Sequence, residues 1–175
     1  MSIRKFNNIS PSFHKTSYID EDAALIGDVT IGEDSSVWPM CAIRGDVQKI
    51  TIGKRTNIQD GSVIHVTANN QFNPGGFETH IGDDVTIGHG AIIHACTIGN
   101  FSLIGMGATV LDGAIVEDEV MVAAGSLVPP GKVLESGYLW KGSPVRKARE
   151  LSEKEKEYLH FSSQHYVNLK NQYMD

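Results

Sequence analysis

The sequence predicts an all-β chain, a parallel β-helix of hexapeptide repeats closed by one C-terminal α-helix. Two observations carry this. Aliphatic residues recur six apart at Ile19, Leu25, Ile31, Val37 and Ile43, then at Ile52, Ile58 and Ile64, then at Ile81, Ile87 and Ile93. After a slip of one they continue at Ile98, Ile104, Val110, Val116, Val122 and Val128, and glycine follows the aliphatic residue at Gly32, Gly53, Gly82, Gly88, Gly99 and Gly105. A fixed short period of this kind marks a β-helix. Each hexad makes a short strand and a turn, the aliphatic side chain points inward, and coils stack at strand spacing into one continuous core. An amphipathic helix needs three- and four-residue spacing, which residues 19–128 do not sustain. An antiparallel sandwich has no need of aliphatic residues and glycines in such strict phase.

Taken in order, residues 1–18 show no repeat and read as an entry segment. The coil starts at Ile19, and its phase breaks in three places: between Ile43 and Ile52, around Arg44-Gly45-Asp46; at 67–80, rich in Asn, Gly and Pro, read as a loop pushed out of the coil; and at the slip between Ile93 and Ile98, beside His94. Strict repeats serve packing, so breaks in them are where function is built. Pro129-Pro130-Gly131 reads as the end of the repeats and Ser143-Pro144 as a further turn. This gives a β-helix domain over 1–142 and a helical tail over 143–175 packed on the coil. In the tail Ser152 and Glu155 form a capping box, and Leu159, Tyr166, Leu169 and Tyr173 make an apolar stripe.

The 175 residues suit one domain with a real core. A net charge of -6 argues against a nucleic-acid partner. No apolar run is long enough to span a bilayer, and the charged first residues do not resemble a signal peptide. Cys41 and Cys96 form no Cys-x-x-Cys pair, so a reducing, cytoplasmic setting is the simplest expectation.

Between Arg44 and His94 lie Gln59-Asp60-Gly61 and three histidines, His65, His89 and His94. Three neutral imidazoles are a complete protein ligand set for a catalytic zinc with an open fourth position; Fe2+ or Co2+ also suits imidazole. Singly, each histidine reads as an ordinary surface or core residue. His14, His80, His160 and His165 stand outside the pattern and read as surface residues, and both cysteines as small packed residues.

Together, Arg44-Gly45-Asp46, Gln59-Asp60-Gly61, the three histidines and the hexads resemble the gamma-class carbonic anhydrase family, over nearly the whole chain. The resemblance implies a left-handed coil, a homotrimer, and metal sites between subunits, with His65 and His94 from one chain and His89 from its neighbour. It implies reversible hydration of carbon dioxide to bicarbonate, with Gln59 orienting the attacking oxygen. Arg44, Asp46 and Asp60 would form a charged network near the metal, and Tyr138 would offer a hydroxyl near it. The chain departs from the family's best-studied kind in one respect. Val47 stands where that kind has a proton-moving glutamate, and the 67–80 loop carries only Glu78. Two other functions compete: a metal-binding hexapeptide protein without significant carbonic anhydrase activity, and a coenzyme A-dependent acyltransferase, the commonest task of hexapeptide coils.

Overall fold

The computed structural model, which describes residues 2–174, winds the chain into a left-handed parallel β-helix with one C-terminal helix, Glu153–Met174. Three columns of strands run the length of the coil. The first stacks Leu25, Ile43, Ile64, Ile93, Val110 and Val128. The second stacks Ile31, Ile52, Ile81, Ile98, Val116 and Leu134. The third stacks Ile19, Val37, Ile58, Ile87, Ile104, Val122 and Trp140. Nearly all of these side chains are fully buried, each contributing about 1.5–3 kcal/mol relative to exposure. One glycine shows why glycine follows the aliphatic residue: a Cβ at Gly53 would stand 2.6 Å from the backbone of Gly82 on the next coil.

The coil is longer at both ends than the hexads suggest. Ser2–Arg4 pairs in parallel with Ala24–Ile26, and Ser12–Phe13 with Thr30–Ile31, so the entry segment supplies strands of a first, partial turn. At the other end Pro129-Pro130-Gly131 is not a stop. Gly131 takes a positive φ of 66° and its N–H donates to Asp112, so the chain turns a corner like those above it and adds Leu134 and Trp140 to the columns. Tyr138–Gly142 then pairs antiparallel with Val145–Glu150, so the 143–175 tail begins with a strand before its helix.

Ser152 Oγ accepts the Glu155 N–H at 3.3 Å and Glu155 accepts the Ser152 N–H at 2.9 Å, which is the expected capping box. The expected stripe is only partly what packs. Leu159 is buried, but Tyr173 is exposed, and the other buried helix residues are Ser162, Ser163, Val167 and Lys170. The reason lies beneath the helix, where the third column presents polar residues. Thr86 pairs with Ser162 at 2.9 Å, Ser163 donates to Asp84 at 3.2 Å, and Lys170 reaches Asp34 at 3.3 Å. Tyr166 and Tyr173 instead set their rings edge-on to Trp38, at 5.6 and 5.1 Å. No helix among the described residues is long and apolar enough to cross a membrane.

Candidate metal centre

The breaks in the hexad phase gather side chains at one corner of the coil. His65 and His94 end two neighbouring strands of the first column and are directly paired in register. The corner after His94 is tight because Ala95 takes a φ of +52°; its N–H is held by the His65 carbonyl and by the hydroxyl of the buried Thr79. That hydroxyl in turn donates to the His65 carbonyl at 2.6 Å. The pairing of Ile93 with Ile64 is thus what sets the second imidazole beside the first, and the one-residue slip shapes the corner that follows it. The 67–80 insertion leaves the coil at the same corner, closed at its base by the bridge between Thr67 and Phe77.

His65 Nδ1 and His94 Nε2 face each other at 3.2 Å. The far nitrogen of each ring meets a carboxylate: His65 Nε2 with Asp46 at 3.0 Å, and His94 Nδ1 with Asp112 at 2.9 Å. Burial works to raise the Asp46 carboxyl, but hydrogen bonds from His65 and Arg44 outweigh it and hold it below the usual range. At Asp112 burial is likewise outweighed, by hydrogen bonds from Thr67 and His94. Both carboxylates are therefore ionised acceptors at neutral pH, and each imidazole must give them its N–H. Burial, assisted by the charge of Arg44, pushes His65 below its usual range despite Asp46. Two lone pairs are thus left pointing at one another, an arrangement that a cation satisfies. Two nitrogens 2.0–2.1 Å from a tetrahedral zinc stand about 3.3 Å apart, close to the observed spacing. Imidazoles fixed by carboxylates are also how metal-ligating histidines are generally oriented.

His89 is elsewhere. It lies five positions before His94, on the far side of a turn in which Gly90 takes a φ of +66°, and outside the strand that carries His94. Among the described residues, no three His, Cys, Asp or Glu side chains of the chain converge to hold an ion. His89 has its own carboxylate, Asp60, at 2.9 Å. Each of the three histidines is therefore held by an aspartate. Gln59, beside Asp60, is buried; its Nε2 donates to Asn57 at 3.0 Å, and Asn57 Nδ2 donates to Thr86 at 3.0 Å. Arg44 pairs with Asp46. Tyr138 is not brought to the histidines of its own chain. It lies near the C-terminal end of the coil, its ring under the Lys147 ammonium at 4.0 Å.

Asp112 is the residue that sequence reasoning missed. It stands at the corner just after Leu111, the position one coil on from His94 when Ile93 pairs with Val110, and its place at that corner was the available signal. Cys96, two places after His94, is fully buried and its thiol is pushed up to about 12 by that burial; Cys41 is pushed up to about 11 in the same way. Both behave as packed residues, as expected.

No family model matches the chain. Protein YrdA of Escherichia coli K12 is 51% identical over 173 residues, covering 99% of this chain and 94% of that one. Gamma carbonic anhydrase 2, mitochondrial, of Arabidopsis thaliana is 45% identical over 160 residues, covering 91% of this chain but 57% of the plant protein, so the chain spans little more than half its length. The crystal structure of a hexapeptide transferase family protein from Anaplasma phagocytophilum superposes with a TM-score of 0.91 at 43% identity, covering 98% of each chain. Coil, phase breaks and relatives agree, and the chain belongs to the gamma-class carbonic anhydrase family of hexapeptide-repeat, left-handed β-helix proteins.

Proposed function

We propose that the chain hydrates carbon dioxide reversibly to bicarbonate in the cytoplasm, at a divalent metal, zinc or alternatively Fe2+ or Co2+, held between the subunits of a homotrimer. The observation that carries this is the pair of facing ring nitrogens of His65 and His94, 3.2 Å apart and backed by Asp46 and Asp112. His89, with Asp60 behind it, supplies the third imidazole from a neighbouring copy. What favours a shared site is the face between the two groups. Val63 and Ile92 are 42% and 44% exposed on the outside of the first column, with Met40 and Met106 at the corner beside His89 and more exposed still. Apolar side chains in a row suit contact with another copy. A three-fold arrangement that turns this face inward joins the His89 end of one copy to the His65–His94 end of the next.

When bound, the metal lowers the pKa of its water toward neutrality and so supplies the nucleophile. The chain's own residues do the rest. Asp46, Asp60 and Asp112 keep the three imidazoles in the ligating tautomer. Asn57 Oδ1 accepts a hydrogen bond from Gln59 Nε2, which fixes the amide and leaves Gln59 Oε1 free to accept a hydrogen bond from the attacking water and fix its direction. Proton release is weakly served. Val47 is exposed where a relay would stand, and Glu78 is engaged with His80 at 2.8 Å.

A second reading, an acyltransferase, draws on the transferase name of the Anaplasma neighbour. It gives no role to three aspartate-backed histidines. Stopped-flow carbon dioxide hydration on protein of known metal content separates the readings. Metal-dependent hydration lost in His94→Ala supports the carbonic anhydrase reading, and no hydration with metal bound removes it.

A further inference from the structure

Under the N-terminal half of the C-terminal helix lies an open cleft of about 430 Å³ whose apolar body carbon dioxide hydration does not use. Its origin can be followed down the third column. The position just after each core aliphatic residue is Trp38, then Gln59, Gly88, Gly105 and Ala123. Trp38 fills the space against the helix near Tyr166 and Tyr173. Further down these side chains shrink to hydrogen or methyl, and a gap opens between coil and helix. The gap is lined on the coil side by Leu103, Met121 and Leu139 and on the helix side by Tyr158 and Tyr166. One end is polar: Gln59, Thr86, Ser162 and His89 line it there. The cleft therefore has an apolar body and a polar head, and the head is made by residues assigned to the metal centre.

The lining selects the occupant. The volume falls within the 300–1,000 Å³ range of small-molecule sites, which likewise combine apolar walls with a few polar groups. No lysine or arginine lines the cleft among the described residues. An anionic head or a phosphate-bearing arm would enter without a counter-charge, at a large desolvation cost. Gln59 Oε1 and the His89 nitrogen left free by Asp60 can instead accept a hydrogen bond from a neutral hydroxyl. The cleft borders the surface given to a second copy only at its His89 and Met106 end; Val63, Ile92 and Met40 are not part of its lining.

We propose that this cleft is a binding subsite for an uncharged alcohol with a short hydrocarbon tail. Its hydroxyl donates to Gln59 Oε1 or to the His89 nitrogen that Asp60 leaves free, and its tail lies over Leu103, Met121 and Leu139. The proposal rests on the placing of Gln59 and His89 in the metal centre, and it widens the ligand class of that centre beyond carbon dioxide. The test is titration of the metal-free protein with 1-alkanols from 1-butanol to 1-heptanol, followed by nuclear magnetic resonance shifts and by calorimetry. Affinity should rise roughly two- to fourfold per added methylene until the cleft is full. Ala123→Leu places a larger side chain in the cleft and should flatten that dependence; Leu139→Ser, a second variant should the first not fold, should reduce it. Neither residue belongs to the proposed metal centre, so carbon dioxide hydration should be kept in both. A flat chain-length dependence in the wild type overturns the proposal, as does tighter binding of the carboxylates of equal length. Because the readout is binding to metal-free protein, a failure of carbon dioxide hydration leaves this result standing, and a failure here leaves hydration standing.

Discussion

Removing the carboxylate behind His94 tests the centre at the residue that no motif announces. Asp112 accepts the Nδ1 proton of His94 at 2.9 Å and is itself steadied by the hydroxyl of Thr67. Asp112→Ala leaves the imidazole free to rotate and to place its proton on Nε2, the nitrogen that faces His65. Loss of such an outer partner weakens metal binding roughly 10- to 100-fold, or about 1.4–2.7 kcal/mol. Thr67→Val loosens the carboxylate without removing it and should fall between Asp112→Ala and the wild type. The assay is competition for zinc against a chromophoric chelator, with a melting curve on the metal-free proteins to show that all are equally folded. Asp112 is about one-third exposed and outside the core columns, so that control should show little change. Unchanged zinc affinity in a folded Asp112→Ala protein would refute the chain of reasoning from carboxylate to tautomer to ligand.

Three further outcomes are expected. Chelating the metal should lower the melting temperature and ease trimer dissociation, because an ion shared between copies stabilises only the assembled form, by about 2.7 kcal/mol at a hundredfold excess over Kd; a melting temperature indifferent to metal contradicts this. Val47→Glu should raise turnover in dilute buffer on the order of 10-fold, short of the 10²-fold of a well-positioned acid–base group, with kcat/KM little changed; wild-type turnover that is already insensitive to added imidazole would show a relay elsewhere. Hydrogen bonds from Arg149 and Ser152 hold the Glu155 carboxyl down at about 2. A carboxyl lowered on folding stabilises above its unfolded pKa of about 4.3, and that contribution disappears as pH falls through the folded value. The gap in melting temperature between metal-free wild type and Glu155→Gln should therefore close on acidification from pH 5 to pH 2, and a gap that persists at pH 2 contradicts the capping assignment.

The coil was legible because its core depends on one repeated requirement, an aliphatic residue at fixed phase on every strand. Where the requirement is met by other residues the reading fell short. Trp140 fills a column position that elsewhere holds Ile or Val, and Pro129-Pro130-Gly131 makes an ordinary corner from residues that commonly end a repeat. Ser2–Arg4 adds to the coil edge by backbone pairing with exposed side chains, so it leaves no periodic apolar mark. The helix stripe was misjudged because helix and coil meet through Ser162, Ser163 and Lys170, and polar seams carry no hydrophobic period. At the site, His65 and His94 were nameable from their common phase, whereas Asp112 is joined to them only by the winding of the coil.

The central claim is that one metal site needs two chains, and subunit mixing tests it most directly. His89→Ala and His94→Ala proteins are purified separately, each expected to bind essentially no zinc, then unfolded together, refolded in equal amounts and assayed for zinc. In a mixed trimer a complete centre forms wherever a His89→Ala copy supplies His65 and His94 and its neighbour, a His94→Ala copy, supplies His89. Random assembly about a three-fold axis gives that pairing at about one quarter of the sites. Zinc appearing in the mixture at close to that level, and in neither parent, is the predicted result; a mixture as empty as its parents, although mixed trimers have formed, would contradict the shared centre.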